Sequence, residues 1–237
     1  MSAFQSWFRG IDLNQIIQWL MFAAAALLSI SVHESSHALA AWRLGDDTAR
    51  RMGRISLNPL HHLDPVGFLM MVVVHFGWAK PVPVNMYRFK NPKTGMAVTA
   101  AAGPISNMLL ALLSGILYWI AGLSWVKGVR AGTMAENGFL YYVYQFFFVC
   151  LVLNAGLAVF NLIPVSPLDG SKILAIFLPE KAHTWLMRYE RYGMLLLMLL
   201  LFTDVLDGPL DFLRSGLIEG VTLIARPLAS LITGVPA

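Results

Sequence analysis

The sequence predicts an all-α polytopic membrane protein with one re-entrant, β-like segment and one or two additional membrane helices at its C-terminal end. Three observations carry that prediction. Of the 237 residues, 57% are hydrophobic and only 13% are charged, about half the charged share of a water-soluble domain, and the mean hydropathy is +0.65. The apolar residues gather into runs of about bilayer length, separated by polar loops. One run, within 66–84, is too short to cross as a helix. It is β-branched at its centre and punctuated by Gly67, Gly77, Pro81 and Pro83. Backbone of that kind is tolerated at membrane depth only where protein covers it or water reaches it.

Composition excludes other classes. A net charge of +4 and a pI near 9.3 would suit a nucleic-acid partner, but the basic residues are spread through the loops between apolar runs, where membrane orientation explains them. Nucleic acid is therefore not expected, and the lipid bilayer is. Cys150 is the only cysteine, so no internal disulfide forms, and its apolar surroundings suggest helix packing. The N-terminus lacks the pattern of a cleaved signal peptide, so the first apolar run is expected to persist in the mature protein.

In chain order, residues 1–15 form an amphipathic lead with Trp7 and Phe8 suited to an interface. The first span, Ile16–Trp42, reaches about 40 Å as a helix, and Glu34 is its one constantly charged residue. A polar stretch, Arg43–Leu63, precedes the re-entrant segment, within which Lys80–Val84 reads as extended because proline biases its neighbour away from helix. A basic loop, Asn85–Lys93, leads to spans at 96–123, 139–163 and 192–205. The last segment, 213–235, contains Glu219, Arg226 and Pro227 and reads as an interfacial helix or a kinked peripheral span. Eight Lys/Arg fall in 43–96 and four more in 164–192, twelve of the seventeen, on one side as the spans are drawn. The positive-inside rule makes that side cytoplasmic.

The first span carries His33-Glu34-Ser35-Ser36-His37. Residues four apart share a helix face, so both imidazoles can meet one ion, with Glu34 about 100° round and free to act on a water. Zinc is the natural occupant of such a pair, with a carboxylate as general base. The plainer alternative is a set of polar side chains packed as glue between helices. Two histidines also need a third ligand. Asp169, in Pro164-Val-Ser-Pro167-Leu-Asp169-Gly170 where a span breaks, supplies either that ligand or an ordinary turn aspartate. His61 and His62 read as solvated or headgroup-facing, His75 as a local polar contact, and His183 carries no signal.

HESSH in the first apolar run and NLIPVSPLDG at the end of a later one, with NPLHHLDPVG, FGWAKPVPVN and AAGPISN between them, resemble the site-2 protease family of intramembrane zinc metalloproteases. The resemblance implies a three-helix catalytic core within 16–175 followed by C-terminal membrane segments over 176–237, and zinc held by His33, His37 and Asp169 with Glu34 as general base. It also implies that Asn107 and Asn161 help to bind substrate or the oxyanion. The expected form is minimal, without a PDZ or regulatory nucleotide-binding domain, in a bacterial or archaeal cell membrane. Its substrate would be a transmembrane protein, reached from the cytoplasmic side, with one edge of the re-entrant segment pairing with the unwound substrate strand. The alternative is a divalent-metal-handling membrane protein, whose transit path would need polar groups across the whole bilayer.

Overall fold

In a computed structural model of the chain, residues 12–67 and 80–236 are described. Most of the re-entrant segment, with His75, and most of the N-terminal lead therefore lie outside the described residues. Helix α1, Leu13–Arg43, begins at a capping box: the Asp12 carboxylate accepts from the first turn and Gln15 bonds back to the Asp12 N–H. Its buried face is a stripe four residues apart, Ala25, Ser29, His33, His37 and Ala41, which keeps the two imidazoles in line with a serine one turn earlier.

A short helix α2, Thr48–Arg51, and a 3-10 turn, Pro59–His61, occupy the polar stretch after α1. Buried polar contacts dock that stretch. Asp46 is fully buried and accepts from Thr48 and from the Asn85 N–H at 2.6 Å. Burial opposes ionisation of Asp46, but the Thr48 and Asn85 hydrogen bonds and Arg88 prevail and hold its carboxyl below the ordinary range. Ser35 donates to Ser56 O, and Arg54, also buried, donates to Lys80 O. His62 is not solvated as expected: it is 1% exposed, with Nε2 2.7 Å from Ser56 O. Burial lowers its pKa, against the raising effect of that bond.

Helix α3, Pro92–Arg130, is the centre of the bundle and runs seven residues past the expected end at Leu123. It packs against α1, against α4, Phe139–Asn161, against the short α5, Asp169–Ala175, and against α7, Asp207–Thr233. Helices α1, α3 and α4 each touch the other two, giving the expected three-helix core. The buried face of α3 is almost wholly small residues, including Gly95, Ala100, Gly103, Ala111, Ser114, Gly115, Ala121 and Gly122. Lipid offers helices no hydrophobic reason to associate, so close backbone approach and dispersion hold such a bundle together.

The C-terminal region differs in detail from the expectation. Helix α6 spans Glu180–Phe202, and its apolar part, Tyr192–Phe202, is short for a span. Among the described residues, α1, α3, α4 and α7 are the four helices long and apolar enough to cross a membrane. The segment forming helix α7 reads from sequence as an interfacial helix or a kinked peripheral span, because Glu219, Arg226 and Pro227 interrupt it. In the fold Val221, Ala225 and Ala229 form a buried stripe, and the first and third of the set Val221, Leu151, Ala225 and Ala111 close a small core between α3, α4 and α7. The Arg226 guanidinium lies 5.3 Å from the Trp119 ring centroid, where the ring's negative face receives the charge.

Candidate metal centre

The site forms where the middle of α1 meets α3 and the end of α4. His33 Nε2 and His37 Nε2 are 3.0 Å apart, and each lies 3.2 Å from Asp169 Oδ2. All three residues are 8% exposed. They are the one group of three or more His, Cys, Asp or Glu side chains among the described residues with ligand atoms so clustered.

The donor set fits a tetrahedral cation. His37 Nδ1 lies 2.8 Å from Thr99 O, a pure acceptor, so Nδ1 carries the proton and the Nε2 lone pair faces Asp169. Asp169 Oδ2 is buried without a hydrogen-bond partner. Lone pairs converging at this spacing repel unless a cation lies among them. Zinc–ligand bonds of about 2.0–2.1 Å at tetrahedral angles place ligand atoms about 3.3 Å apart, close to the 3.0 and 3.2 Å observed.

Two glycines make room for this geometry. A Cβ on Gly103 would stand 2.5 Å from His33 Cε1 and from His37 Cε1 and Nε2, so only glycine lets both rings, set edge to face at 88°, pack against α3. A Cβ on Gly170 would collide with the carbonyls of Leu162 and Ile163. Its absence brings the start of α5, and with it Asp169, against the end of α4.

A cavity of about 370 Å³ opens on the three ligand atoms. Its wall includes Glu34 from α1, Thr99 and Ala100 from α3, Asn161 from α4, Lys172 one turn after Asp169, and the non-helical run Pro81, Val82 and Val84. Arg54, which grips that run at Lys80, has its ordinary pKa lowered by burial, and the Glu34 charge opposes the change. Asn161 Nδ2 is turned back to Leu157 O at 3.0 Å.

Asn107 stands elsewhere. It is fully buried behind His33, its Oδ1 2.5 Å from His33 Nδ1, and it does not line the cavity. Asn154, a buried amide in mid-helix α4 that received no role from the sequence, bonds to it. The available signal was an amide in the otherwise apolar run Phe146–Phe160, which in lipid is expensive enough to need a purpose.

The model of peptidase family M50 matches residues 122–203, which include Asp169. A Bacillus subtilis protein with the curated name "Putative zinc metalloprotease YwhC" is 34% identical over 206 residues, 85% of this chain and 91% of that protein. Proteins from Mycolicibacterium smegmatis and Mycobacterium tuberculosis, both named "Putative zinc metalloprotease Rip2", are each 26% identical, over 82% and 80% of this chain and 71% and 70% of their own lengths. No solved structure matches the chain. With a relative this similar along almost its whole length, and with a buried His-His-Asp cluster fit for zinc, the chain belongs to peptidase family M50, the site-2 protease family of metalloproteases.

Proposed function

We propose that the protein is an intramembrane zinc metalloendopeptidase that hydrolyses peptide bonds within or beside the transmembrane segments of membrane-anchored proteins. The observation that carries this reading is the convergence of the ligand atoms of His33, His37 and Asp169 on a cavity that also presents Glu34. His33, His37 and Asp169 would hold the metal and leave its fourth position to water and substrate. Zinc, when bound, supplies Lewis acidity for activating water and polarising the scissile carbonyl. Glu34 takes the proton from the attacking water and delivers it to the leaving nitrogen. Asn161 lines the cavity wall, which supports a role in meeting the substrate backbone, its Nδ2 leaving Leu157 O to do so.

A helical substrate must unwind before its carbonyl is accessible, and each amide freed in a site of low polarity costs several kcal/mol until it is paired again. The run Pro81–Val84 on the cavity wall supports a reading in which the substrate lies there as an added strand. The twelve basic residues within 43–96 and 164–192 support cytoplasmic access. A metal-transit path would need further ligand groups along the spans, and the described residues hold one such cluster.

The test is purified Glu34→Gln protein in detergent or vesicles, with zinc content and cleavage of a transmembrane substrate measured together. Zinc is expected to stay at the wild-type level while cleavage disappears, because the base is not a ligand. A substrate segment carrying a mid-span Gly-Pro pair should be cut faster than an all-leucine one. Cleavage by Glu34→Gln at the wild-type rate would refute the assignment of the base, and equal cleavage of both segments would refute intramembrane unwinding.

A further inference from the structure

Behind His33 a chain of buried hydrogen bonds crosses three helices. His33 Nδ1 lies 2.5 Å from Asn107 Oδ1 on α3. Asn107 Nδ2 donates to Asn154 Oδ1 on α4 at 2.7 Å and reaches Ser29 O at 3.5 Å. Asn154 Nδ2 donates both to Cys150 O and to Ser29 Oγ, each at 2.8 Å. Ser29, back on α1 one turn before His33, donates to Ala25 O at 2.7 Å. Ser29, Asn107 and Asn154 are all 0% exposed, so the network is closed off from bulk water.

The chain has a direction, and backbone carbonyls set it. Cys150 O and Ala25 O only accept. Asn154 must therefore turn its NH₂ towards Cys150 O, which leaves its Oδ1 facing Asn107. Ser29, already donating to Ala25 O, is left to accept the second Asn154 proton. Asn107 must then offer NH₂ to Asn154, and Ser29 O, another pure acceptor, requires the same orientation. Asn107 Oδ1 is thus left for His33, whose Nδ1 must carry the proton. In that tautomer the Nε2 lone pair points at His37 and Asp169. With Asn107 reversed, the His33 proton would sit on Nε2, inside the ligand cluster, where no cation can be held.

We propose that Asn154 and Ser29 are positioning residues that, through Asn107, fix His33 in its metal-binding tautomer and orientation. Asn107 acts on His33 and not on the substrate. The role goes to a residue of α4 that touches neither metal, substrate nor His33, and it ties the competence of a ligand on α1 to the docking of α4. This inference rests on the metalloprotease reading, since a tautomer matters only if Nε2 binds metal. Loss of outer partners of a ligating histidine costs about 10–100-fold in metal affinity.

The test uses the full chain in detergent, with zinc affinity measured by chelator competition and the histidine tautomers of the metal-free protein read from ¹⁵N NMR shifts. Wild type should show His33 as a single Nδ1–H tautomer. Asn154→Ala should show mixed tautomers and about 10–100-fold weaker zinc binding. Ser29→Ala, a smaller change if Asn154→Ala fails to fold, should shift both readouts in the same direction, and Ser29→Thr should recover them by restoring the hydroxyl. Ser36→Ala, which removes a hydroxyl bonded only to its own helix at Val32 O, should change neither. A wild-type protein that binds no zinc would overturn the metalloprotease reading. Wild-type zinc affinity and a single His33 tautomer in Ser29→Ala, or in a folded Asn154→Ala, would overturn the relay while leaving that reading intact.

Discussion

Replacing Gly103 by alanine adds one methyl group at the most crowded point of the site. The new Cβ would lie 2.5 Å from atoms of both the His33 and His37 rings. Non-bonded carbons rest at about 3.5–4.0 Å, so each ring must retreat by about 1 Å. The rings have no free direction of retreat, because His33 is held at Asn107 Oδ1, 2.5 Å away, and His37 at Thr99 O, 2.8 Å away. Metal sites tolerate ligand displacements of about 0.2 Å, and a misplacement of about 1 Å at a reacting centre costs about 100-fold in rate. Gly103→Ala is therefore expected to lose at least about 100-fold in zinc affinity and in cleavage. Chelator competition on the purified protein measures the first, and cleavage of a transmembrane substrate in vesicles the second. Gly156→Ala is the matched control: it adds the same methyl on α4, where a Cβ meets nothing within 4 Å, and should behave as wild type. A Gly103→Ala protein with wild-type zinc affinity would refute the packing of the rings on α3.

Asp169→Ala should release zinc at concentrations that keep the wild type loaded, whereas Asp64→Ala should not. Asp64 only caps the N–H groups of Val66 and Gly67 at 2.9 Å, and metal analysis distinguishes the two. Single cysteines at positions 50 and 181, in a Cys150→Ser background, should be labelled from the cytoplasmic side, and external labelling at either would reverse the proposed orientation. The Asp46 carboxyl has a lowered pKa in the fold, so its contribution is complete above its unfolded value of about 4 and is lost as pH falls through the lowered one. Asp46→Asn should accordingly loosen the 46–88 docking at neutral pH, seen as faster proteolysis of that loop, and should abolish any difference from wild type once both are well below pH 4.

Much of the site was legible because it obeys local rules. Helical spacing alone aligns His33 with His37, whereas a carboxylate beside a broken span leaves Asp169 open between third ligand and turn residue until the family resemblance is weighed. What escaped depends on contacts that no spacing encodes. The His61-His62 pair in a basic loop resembles solvated residues, and only the approach of Ser35 and Ser56 shows His62 enclosed. Arg226 counts against a span until Trp119 lies beneath it. Asn107 and Asn161 look alike as amides near breaks in helices, yet one lies behind His33 and the other on the cavity wall. Gly103 is one glycine among nineteen, and its importance follows from two rings that arrive from another helix.

The separation of the site's parts along the chain bears on when this protein becomes active. His33 and His37 are made early, but Asp169 is translated 132 residues after His37. Helix α4 brings Asn154 and the approach to Asp169 within a few turns of each other, so the proposed positioning residue and the proposed third ligand reach the membrane together. Until that helix inserts, the growing chain holds two histidines without the carboxylate that closes the cluster. Under the proposed function, synthesis itself thus acts as a safety catch: a ribosome-bound chain still lacking Asp169 cannot attack the membrane proteins being inserted beside it, and competence follows only once α4 and α5 are in place.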